Sequence, residues 1–324
     1  MIKNQRYVVL QSKELKKKPL GVLRMGEKMV FWRNKEGEPV CNIDSCCHRG
    51  VALSLGEISE EGCLACPFHG LQFDEHGKCT LIPANGKNAK IPPSFRIKTY
   101  RTYEHEGFIW IFWGDQEPTT TPEFFTNLDG LVYSSMTDHR ATHYSRVIEN
   151  QLDCAHLPFI HRKTIGRGNR TLVNGPVVQR KGSDGFHMYV YNALDEGQKP
   201  QLPEDITVDP ENDFRLEFIF PNTWQNVISP KMRIVVAFVP IDNENTLMYL
   251  RSYQGFVKAP LLRQLFEQIS MYYNRKILAE DRSVVITHDP KISTMPSHEL
   301  LFQADLPIIE YRKKRAELQK PLAK

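Results

Sequence analysis

The 324-residue sequence has no run of apolar residues long enough to cross a membrane, since a spanning helix needs about 20 of them and the longest apolar runs here have the length of a strand. Neither sign of charge dominates. Lys and Arg number 42 and Asp and Glu 38, and this dispersed net charge of +4 gives no reason to expect nucleic acid as a partner. The N-terminus has no apolar stretch typical of a signal peptide. We therefore expect a cytoplasmic protein with no membrane span.

The length and composition favour two domains. Residues 1–115 show short strand patterns separated by turn residues, which predict an all-β domain. A polar, proline-bounded stretch at 114–122 is typical of a linker, and residues 116–324 mix strand and helix patterns, so we expect an α+β domain there. Strands are predicted in this second domain at 142–148, 186–191, 214–220, 231–239 and 246–253, and helices after Asn150, over 260–282 and over 311–318.

The seven cysteines are unevenly placed, with five of them between Cys41 and Cys66. In a chain expected to be cytoplasmic, an odd number of cysteines favours free thiols or metal ligands over a disulfide framework. The cluster contains Cys46-x-His48 and, after seventeen residues, Cys66-x-x-His69. Each segment offers one sulfur and one imidazole, whereas zinc sites pair Cys with Cys and His with His at short spacings. A [2Fe–2S] cluster with two Cys on one iron and two His on the other needs such mixed loops.

Glycines follow both ligand pairs, and Gly50 and Gly70 allow the backbone to approach the bridging sulfides. With the Gly70-Leu-Gln-Phe-Asp stretch and the closing Gly107–Trp113 strand, this region resembles a Rieske domain, which implies Cys46, His48, Cys66 and His69 as cluster ligands. A zinc-ribbon register using Cys63, Cys66, Cys47 and either Cys41 or Cys46 is the alternative, although cysteines zero or five residues apart make a poor knuckle. The remaining cysteines are interpreted as packing residues: Cys41, Cys47, Cys63, Cys79 and Cys154.

A second cluster of polar residues, Asn150, Asp153, His156 and His161, interrupts an otherwise apolar segment. Spacings of three predict that Asn150, Asp153 and His156 share one face of a helix, and Pro158 is expected to break that helix so that His161 returns to the same point. Two imidazoles five residues apart can share a metal. Two His and one carboxylate form the facial triad of non-haem Fe(II) oxygenases.

The carboxylate of such a triad must come from elsewhere in the chain. In the predicted helix over 260–282, Asp281 ends a row of residues four apart that we expect to pack inward, and a buried carboxylate needs a partner. Glu280 is the alternative, since it is adjacent to Asp281 but lies off the row. The other members of the row are Leu261, Leu265, Ile269, Tyr273 and Ile277.

Taken together, the two clusters resemble those of the α subunit of Rieske non-haem iron oxygenases, and the resemblance covers essentially the whole chain. It implies an all-β Rieske domain, 1–115, followed by an α+β helix-grip (START-like) catalytic domain, 116–324. It also implies a head-to-tail homotrimer in which Asp153 carries electrons from a Rieske His, matching His69, to His156. Asp153 could equally fix the tautomer of His156, and the two roles are compatible.

Within that family the chain looks most like the single-subunit monooxygenase and demethylase branch, which includes vanillate, dicamba and pheophorbide-type enzymes. The resemblance implies an oxygenase component that uses O2 to hydroxylate or oxidatively demethylate a small cyclic or aromatic substrate. The sequence has neither a G-x-G-x-x-G fingerprint nor a plant-type ferredoxin motif. We therefore expect a separate NAD(P)H-dependent reductase to supply electrons, directly or through a ferredoxin.

Three alternatives stay open at this point. One is cis-dihydroxylation of an arene, which longer α chains usually perform. The second is a Rieske electron-transfer protein whose other domain only binds a ligand, and the third is a zinc-stabilised ligand-binding protein. The substrate itself is not predicted; Phe218 and Trp224 are candidates for aromatic pocket walls, and core packing is an equally good interpretation of both.

Overall fold

The computed structural model describes residues 1–116, 121–166, 168–182 and 184–320. Its internal contacts divide the chain into two compact units, with Lys3–Pro122 in the first and Glu123–Val239 and the chain from Asn243 onward in the second. Pro240–Asp242 groups with the first unit. The boundary expected between residues 115 and 116 stays a prediction, and part of the predicted linker, 117–120, lies outside the described residues.

The described part of the first unit is built from three small antiparallel sheets, in the orders β1-β11-β10, β2-β3-β4-β9 and β5-β6-β7-β8. Its strands are β1 (Gln5–Gln11), β2 (Leu20–Arg24), β3 (Glu27–Arg33), β4 (Pro39–Ile43), β5 (Glu57–Ile58), β6 (Leu64–Ala65), β7 (Gln72–Phe73), β8 (Cys79–Leu81), β9 (Thr99–Tyr100), β10 (Thr102–His105) and β11 (Phe108–Trp113). Short 3₁₀ turns occur at Ser12–Glu14, Leu53–Leu55 and Pro83–Asn85. The strand-rich fold expected here is confirmed.

The position of strand β11 in its sheet explains why its sequence is apolar at every residue. It lies between β1 and β10, and all six of its residues are buried. A strand covered on both faces needs no alternation of polar and apolar residues. A separate core beneath β5–β8 includes Trp32, Leu64 and Phe73, and the sulfur-bearing Cys46 and Cys66 belong to it.

The second unit is an antiparallel seven-stranded sheet with helices, in the order β12-β18-β17-β16-β15-β14-β13 within the described residues. The strands are β12 (Val132–Arg140), β13 (Leu172–Lys181), β14 (Gly185–Ala193), β15 (Arg215–Ile219), β16 (Thr223–Ser229), β17 (Met232–Pro240) and β18 (Thr246–Gln254). The helices are α1 (Tyr144–Leu152), α2 (Leu157–Ile160), α3 (Pro260–Val285) and α4 (Leu306–Gln319), with 3₁₀ turns at Pro203–Asp205 and Gln303–Asp305. The long helix α3 contacts β12, β18 and α1.

One strand prediction is wrong: residues 142–148 do not form a strand, because α1 begins at Tyr144. The His143 side chain caps this helix by accepting a hydrogen bond from the Ser145 backbone N–H. Val147 and Ile148 are buried in the helix. A segment as short as 142–148 that mixes apolar and polar residues fits both the helix period and the strand period. Capping and tertiary contacts therefore decide the local structure.

A buried ion-pair network holds α1 against α4. Glu149 accepts hydrogen bonds from Arg146 at 2.9 Å and from Arg312 at 2.7 and 3.0 Å. Both arginines also pair with Glu299, at 2.7 and 2.5 Å. Every buried charge in this network has a partner, which is the condition for burying charge in a core. The network fixes the helix that precedes the second polar cluster.

The prediction that the row Leu261 to Asp281 packs inward is wrong for most of its members. Leu261 is 83% exposed and Tyr273 is 55% exposed, whereas Asp281 is 3% exposed. The reason is helical geometry: four residues advance about 400°, so each step turns the row by about 40° and the full row wraps roughly 200° around the helix. The residues of α3 that are buried are Met271, Asn274, Leu278, Asp281 and Val285. Their spacings of three and four keep them on one face.

Among the described residues, no helix combines the length and apolar composition that crossing a membrane requires.

Acid should destabilise the second unit through His143. Burial, with smaller contributions from Arg315 and Arg146, lowers the pKa of His143 from 6.5 to about 3. Between these two values the unfolded chain binds a proton that the folded chain does not, so stability falls as pH falls, by up to about 1.4 kcal/mol per pH unit. We expect His143→Asn, which keeps a capping acceptor, to lose less stability between about pH 6.5 and pH 5 than the parent chain.

Urea unfolding of the second unit at several pH values measures this difference. His139→Asn is the matched control, since it replaces an exposed histidine on β12. An unchanged pH slope in His143→Asn would contradict the assignment of the buried imidazole as neutral.

Candidate iron–sulfur and mononuclear metal sites

The first candidate site lies on two loops of the first unit that share one backbone frame. In the first loop the Cys46 N–H donates to the Val51 carbonyl and the Gly50 N–H donates to the Cys46 carbonyl, both at 2.8 Å. In the second loop Cys66 pairs with Leu71 at 2.8 Å, and the Gly70 N–H donates to the Cys66 carbonyl at 3.0 Å. The two loops therefore share one backbone frame, with a cysteine at the first position and a glycine at the fifth, while the histidine is third in one loop and fourth in the other.

The two glycines are required by this frame. Gly50 has a φ of +74° and Gly70 a φ of +70°, a backbone region that disfavours residues with a side chain. A Cβ at Gly70 would also lie 3.1 Å from Pro83 Cγ. Each loop can turn back tightly because its glycine has no side chain.

The predicted ligands meet between these loops. Cys46 and Cys66 are each 3% exposed, whereas His48 and His69 are exposed and their ring centroids lie 4.7 Å apart. Ligands of one tetrahedral zinc ion, at about 2.0–2.3 Å from the metal, would lie less than about 4 Å from one another. Among the described residues no three of these four side chains have donor atoms within 4.8 Å of one another. This spread fits ligands shared between two irons better than ligands of one zinc ion.

The other cysteines do not behave alike. Cys41, Cys79 and Cys154 are buried, as packing residues should be. Cys47 is exposed, so its interpretation as a packing residue is wrong, whereas Cys63 is half-buried and its interpretation stays a prediction. Cys47 begins a run of four exposed residues, 47–50, that follows the buried Cys46.

The second cluster reaches its site by a path that differs from the one expected. Helix α1 ends at Leu152, and Asp153 has extended backbone, so Asn150, Asp153 and His156 do not share one helix. The Asp153 carboxylate accepts hydrogen bonds from the N–H groups of Ala155 at 2.7 Å and His156 at 3.3 Å, which turns the chain. Pro158 stands in the first turn of α2, where its missing N–H costs no hydrogen bond.

This path nevertheless brings His156, His161 and Asp281 together, with their ligand atoms within 4.8 Å of one another. Asp281 Oδ1 lies 2.8 Å from His161 Nε2 and 3.5 Å from His156 Nε2. Within the described residues, Asp281 Oδ1 is buried and makes close contacts with these two nitrogens but no hydrogen bond of standard geometry. Two imidazole nitrogens and a carboxylate oxygen that converge in this way match the donor set of a mononuclear non-haem iron site.

Glu280, the alternative carboxylate, has a different position. His161 Nδ1–H donates to Glu280 Oε2 at 2.8 Å, and the Thr164 hydroxyl donates to the same oxygen at 2.7 Å. Glu280 therefore orients the ring whose other nitrogen faces Asp281. Carboxylates behind metal-binding histidines commonly fix the tautomer in this way. Sequence reasoning did not single out Thr164.

The electrostatics of the cluster follow from its two carboxylates. Burial opposes charge on His156, but Asp153 and Asp281 outweigh it and raise the pKa of His156 to about 9. In the opposite sense, burial would raise the pKa of Asp281, yet His156 and His161 hold it well below its usual value. The buried carboxylate thus needs positive charge beside it, which a divalent cation could also supply.

The cluster lies at a cavity of about 390 Å³ between the sheet and α3. Asn150 and Asp153 line it together with both histidines and Asp281. Trp224 also lines the cavity, as the strand pattern suggested, whereas Phe218 packs against Tyr311 with ring centroids 5.5 Å apart. Asn192 and Asn274 line the cavity too, and the sequence analysis missed both.

Two mixed Cys/His loops on a strand-rich unit, and a His/His/Asp cluster on a helix-covered sheet, define a Rieske-type non-haem iron protein. The family profile for the Rieske [2Fe-2S] domain matches residues 5–101, and that for the vanillate O-demethylase oxygenase C-terminal domain matches residues 140–320. The chain therefore belongs to the Rieske oxygenase family that carries the vanillate O-demethylase oxygenase C-terminal domain. The cofactors of this family are a [2Fe–2S] cluster and a mononuclear iron.

Individual relatives agree with this assignment. The vanillate O-demethylase oxygenase subunit of Pseudomonas sp. (strain HR199 / DSM 7063) is 34% identical over 187 residues, 56% of this chain and 51% of that protein. A putative toluene-4-sulfonate monooxygenase system iron–sulfur subunit of Comamonas testosteroni is 30% identical over 184 residues, 56% of this chain and 52% of that protein. The matched region is thus about half the length of these curated relatives.

Solved structures show the same fold over nearly the whole chain. NdmA of Pseudomonas putida CBB5 has a TM-score of 0.77 at 24% identity, covering 98% of this chain and 90% of that one. Dicamba monooxygenase bound to dicamba has a TM-score of 0.75 at 19% identity, covering 98% of each chain. At these identities the likeness establishes the fold, including the α+β architecture expected for the second unit.

The two adjacent carboxylates can be separated by metal affinity. We expect Asp281→Ala to abolish Fe(II) binding at the second site, because it removes a donor atom. Glu280→Ala should only weaken binding, by about 10- to 100-fold, because it removes the group that orients His161. Anaerobic titration with Fe(II), or with Co(II) as an air-stable probe, measures both affinities.

Glu317→Ala on α4 is the control, since it removes a carboxylate far along the chain from either cluster. Loss of Fe(II) binding in Glu280→Ala together with retained binding in Asp281→Ala would reverse the two assignments.

Proposed function

We propose that this protein is the oxygenase component of a multicomponent system that uses O2 and reductase-supplied electrons to oxidise a small cyclic or aromatic molecule. The observation that carries the proposal is the convergence of His156, His161 and Asp281 at a mostly apolar cavity. A protein that only transferred electrons would have no use for a three-ligand site open to a ligand cavity. The vanillate and toluene-4-sulfonate relatives support an oxygenase role.

In this proposal His156, His161 and Asp281 would hold a mononuclear Fe(II). The iron supplies activation of O2 next to the substrate. The chain supplies the geometry: Glu280 and Thr164 keep the His161 ring in place, and the Asp153 turn sets the direction of His156. The apolar lining excludes water from the reacting region.

Cys46, His48, Cys66 and His69 are proposed to hold the Rieske cluster. Because both imidazoles are exposed, the cluster can exchange electrons with another protein without local opening. A separate NAD(P)H-dependent reductase, directly or through a ferredoxin, is the proposed donor. A head-to-tail homotrimer and a cytoplasmic location stay predictions of the sequence analysis.

Asp153 is proposed to serve the route of electrons to the mononuclear iron. Its Oδ2 lies 3.6 Å from His156 Nδ1, and its Oδ1 is already used by the backbone turn. Oδ2 can therefore contact His156 while the turn stays intact. Asn150, one helical turn earlier and on the cavity wall, is proposed to act beside it as a catalytic residue.

Monooxygenation, as hydroxylation or oxidative demethylation, is favoured over cis-dihydroxylation of an arene. Relatives named for vanillate O-demethylation and dicamba O-demethylation support this choice. Product analysis with ¹⁸O2 distinguishes the two, since a dihydroxylase transfers both labelled atoms to the substrate.

The proposal predicts about three irons and two sulfides per chain in protein purified without oxygen. A rhombic EPR signal typical of a Rieske centre should appear on reduction with dithionite. When a reductase supplies electrons and a substrate of the enzyme is present, the protein should consume O2. Protein that contains zinc and gives no EPR signal would contradict both sites. Protein that holds two irons per chain, and takes up no third iron when Fe(II) is added, would be only an electron carrier.

Three variants should separate the roles of the residues. Cys66→Ala should lose the Rieske signal, and His161→Ala should keep that signal but lose mononuclear iron. Asp153→Asn should keep both metals, because the amide oxygen can still accept the turn hydrogen bonds, yet reduce reductase-driven turnover by about 100-fold or more. EPR, iron content and single-turnover kinetics measure these outcomes. Full oxygenase activity in His161→Ala would refute the two-metal proposal.

A further inference from the structure

The cavity beside the His/His/Asp cluster is apolar over most of its wall. Leu157, Val190, Leu216, Val236, Leu250 and Ile277 are among its lining residues. Phe214 and Ile228 also line it and are more than 40% exposed, so they lie toward the mouth. Such a wall suits a ring compound whose surface is largely hydrocarbon.

Outside the His/His/Asp cluster, three buried polar atoms on this wall have no hydrogen-bond partner among the described residues: Trp224 Nε1, Asn226 Oδ1 and Asn274 Nδ2. Trp224 is 5% exposed and Asn274 is 7% exposed. Asn192 differs, since its side-chain amide donates to the Cys154 carbonyl. Buried polar groups are nearly always paired, so three orphans on one cavity wall indicate a ligand that completes them.

The strand neighbours of Asn226 offer its side chain no partner. Trp224 and Asn226 are two residues apart on β16 and therefore share a face of the sheet. The strand partners of Asn226 are Leu216 on β15 and Ile234 on β17, both apolar. Asn274 lies on α3 two turns before Asp281, about 10 Å along the helix axis. Asn274 is thus set back along α3 from Asp281 by roughly the length of a small ring system.

The charge of the cavity disfavours an anion. None of the described residues that line the cavity is Lys or Arg, whereas two of them, Asp153 and Asp281, are acidic. These two carboxylates offset the charge of one divalent metal ion, so a carboxylate or sulfonate on the ligand would be buried without a counter-charge.

From these observations we infer that the cavity takes an uncharged ring compound carrying a carbonyl or amide group, with Trp224 and Asn274 donating to its oxygen and Asn226 accepting from its N–H. This rests on the proposed function for the position of the metal. It makes Trp224, Asn226 and Asn274 the residues that determine which end of the substrate faces the iron. The hydrocarbon end is then the end that is oxidised.

The test compares matched probes that differ only in charge: benzamide with benzoate, and 2-naphthamide with 2-naphthoate. Binding is measured by calorimetry on the holoprotein with both metals, without oxygen or reductase. We expect at least one amide to bind about tenfold or more tightly than its carboxylate. If no amide binds more tightly than its carboxylate, or if none binds, the inference is wrong.

Variants then assign the preference to residues. Asn226→Leu and Asn274→Leu should each weaken amide binding about tenfold while leaving binding of toluene or 2-methylnaphthalene within about twofold, since only the hydrogen bond is lost. Asn274→Lys should favour the carboxylate instead. Asn212→Leu, on an exposed loop outside this cavity, is the matched control. Unchanged amide binding in both Leu variants would overturn the assignment.

Iron content and the thermal midpoint are recorded for every variant, so that misfolding is recognised. Because the probes are bound without turnover, an amide preference would survive even if the protein proved not to be an oxygenase. Conversely, turnover of substrates that carry a carboxylate, with no amide preference, would leave the proposed function intact and refute only this inference.

Discussion

The structure of the second unit depends on a buried carboxylate. Asp281 is 3% exposed, and a carboxylate in that position is tolerated only with positive charge or a metal beside it. Both histidines come from the segment after α1, so α1 and α3 must be held at a fixed distance. The ion pair from Arg312 on α4 to Glu149 on α1 holds these two helices together, and α3 contacts α1. A second set of buried charges thus stabilises the position of the first.

The two candidate sites solve opposite problems. In the first unit the candidate cysteine ligands are anchored in the core and the candidate imidazoles are exposed, which suits a centre that exchanges electrons with other proteins. In the second unit His161 is 1% exposed, and the cluster adjoins a largely apolar cavity. Enclosure strengthens every charge interaction in that site because little water screens it. Each site therefore has the exposure that its proposed role requires.

Short-range spacing carried most of the information that could be used from the sequence. Cys46-x-His48 and Cys66-x-x-His69 predict two loops that each offer one sulfur and one imidazole, and the backbones of these loops make the same hydrogen bonds. The apolar run ending at Trp113 predicts a strand covered on both faces, which β11 is. These inferences succeed because the residues that matter lie within a few positions of one another.

Longer patterns were less reliable, for identifiable reasons. Residues 142–148 fit a strand by composition, but the His143 cap and buried ion pairs make them helical. The row from Leu261 to Asp281 does not stay on one face of α3, since steps of four residues drift around a helix of 3.6 residues per turn. Asn274 could have been found by counting back in steps of three and four from Asp281, which gives Leu278 and then Asn274. Whether its amide is satisfied depends on contacts across the sheet, and no local pattern contains them.

The neighbouring residues Glu280 and Asp281 show how little sequence distance separates different roles. One residue along a helix turns the side chain by about 100°. Asp281 consequently faces His161 Nε2 at 2.8 Å, while Glu280 reaches Nδ1 of the same ring at 2.8 Å. Glu280 is the longer side chain and lies nearer the surface, so its extra methylene spans the larger gap. Exchanging the two residue types would leave both carboxylates on the helix but place neither oxygen correctly. The His161 ring, which contacts one carboxylate through each nitrogen, therefore requires the order Glu-Asp and not only the presence of two acids.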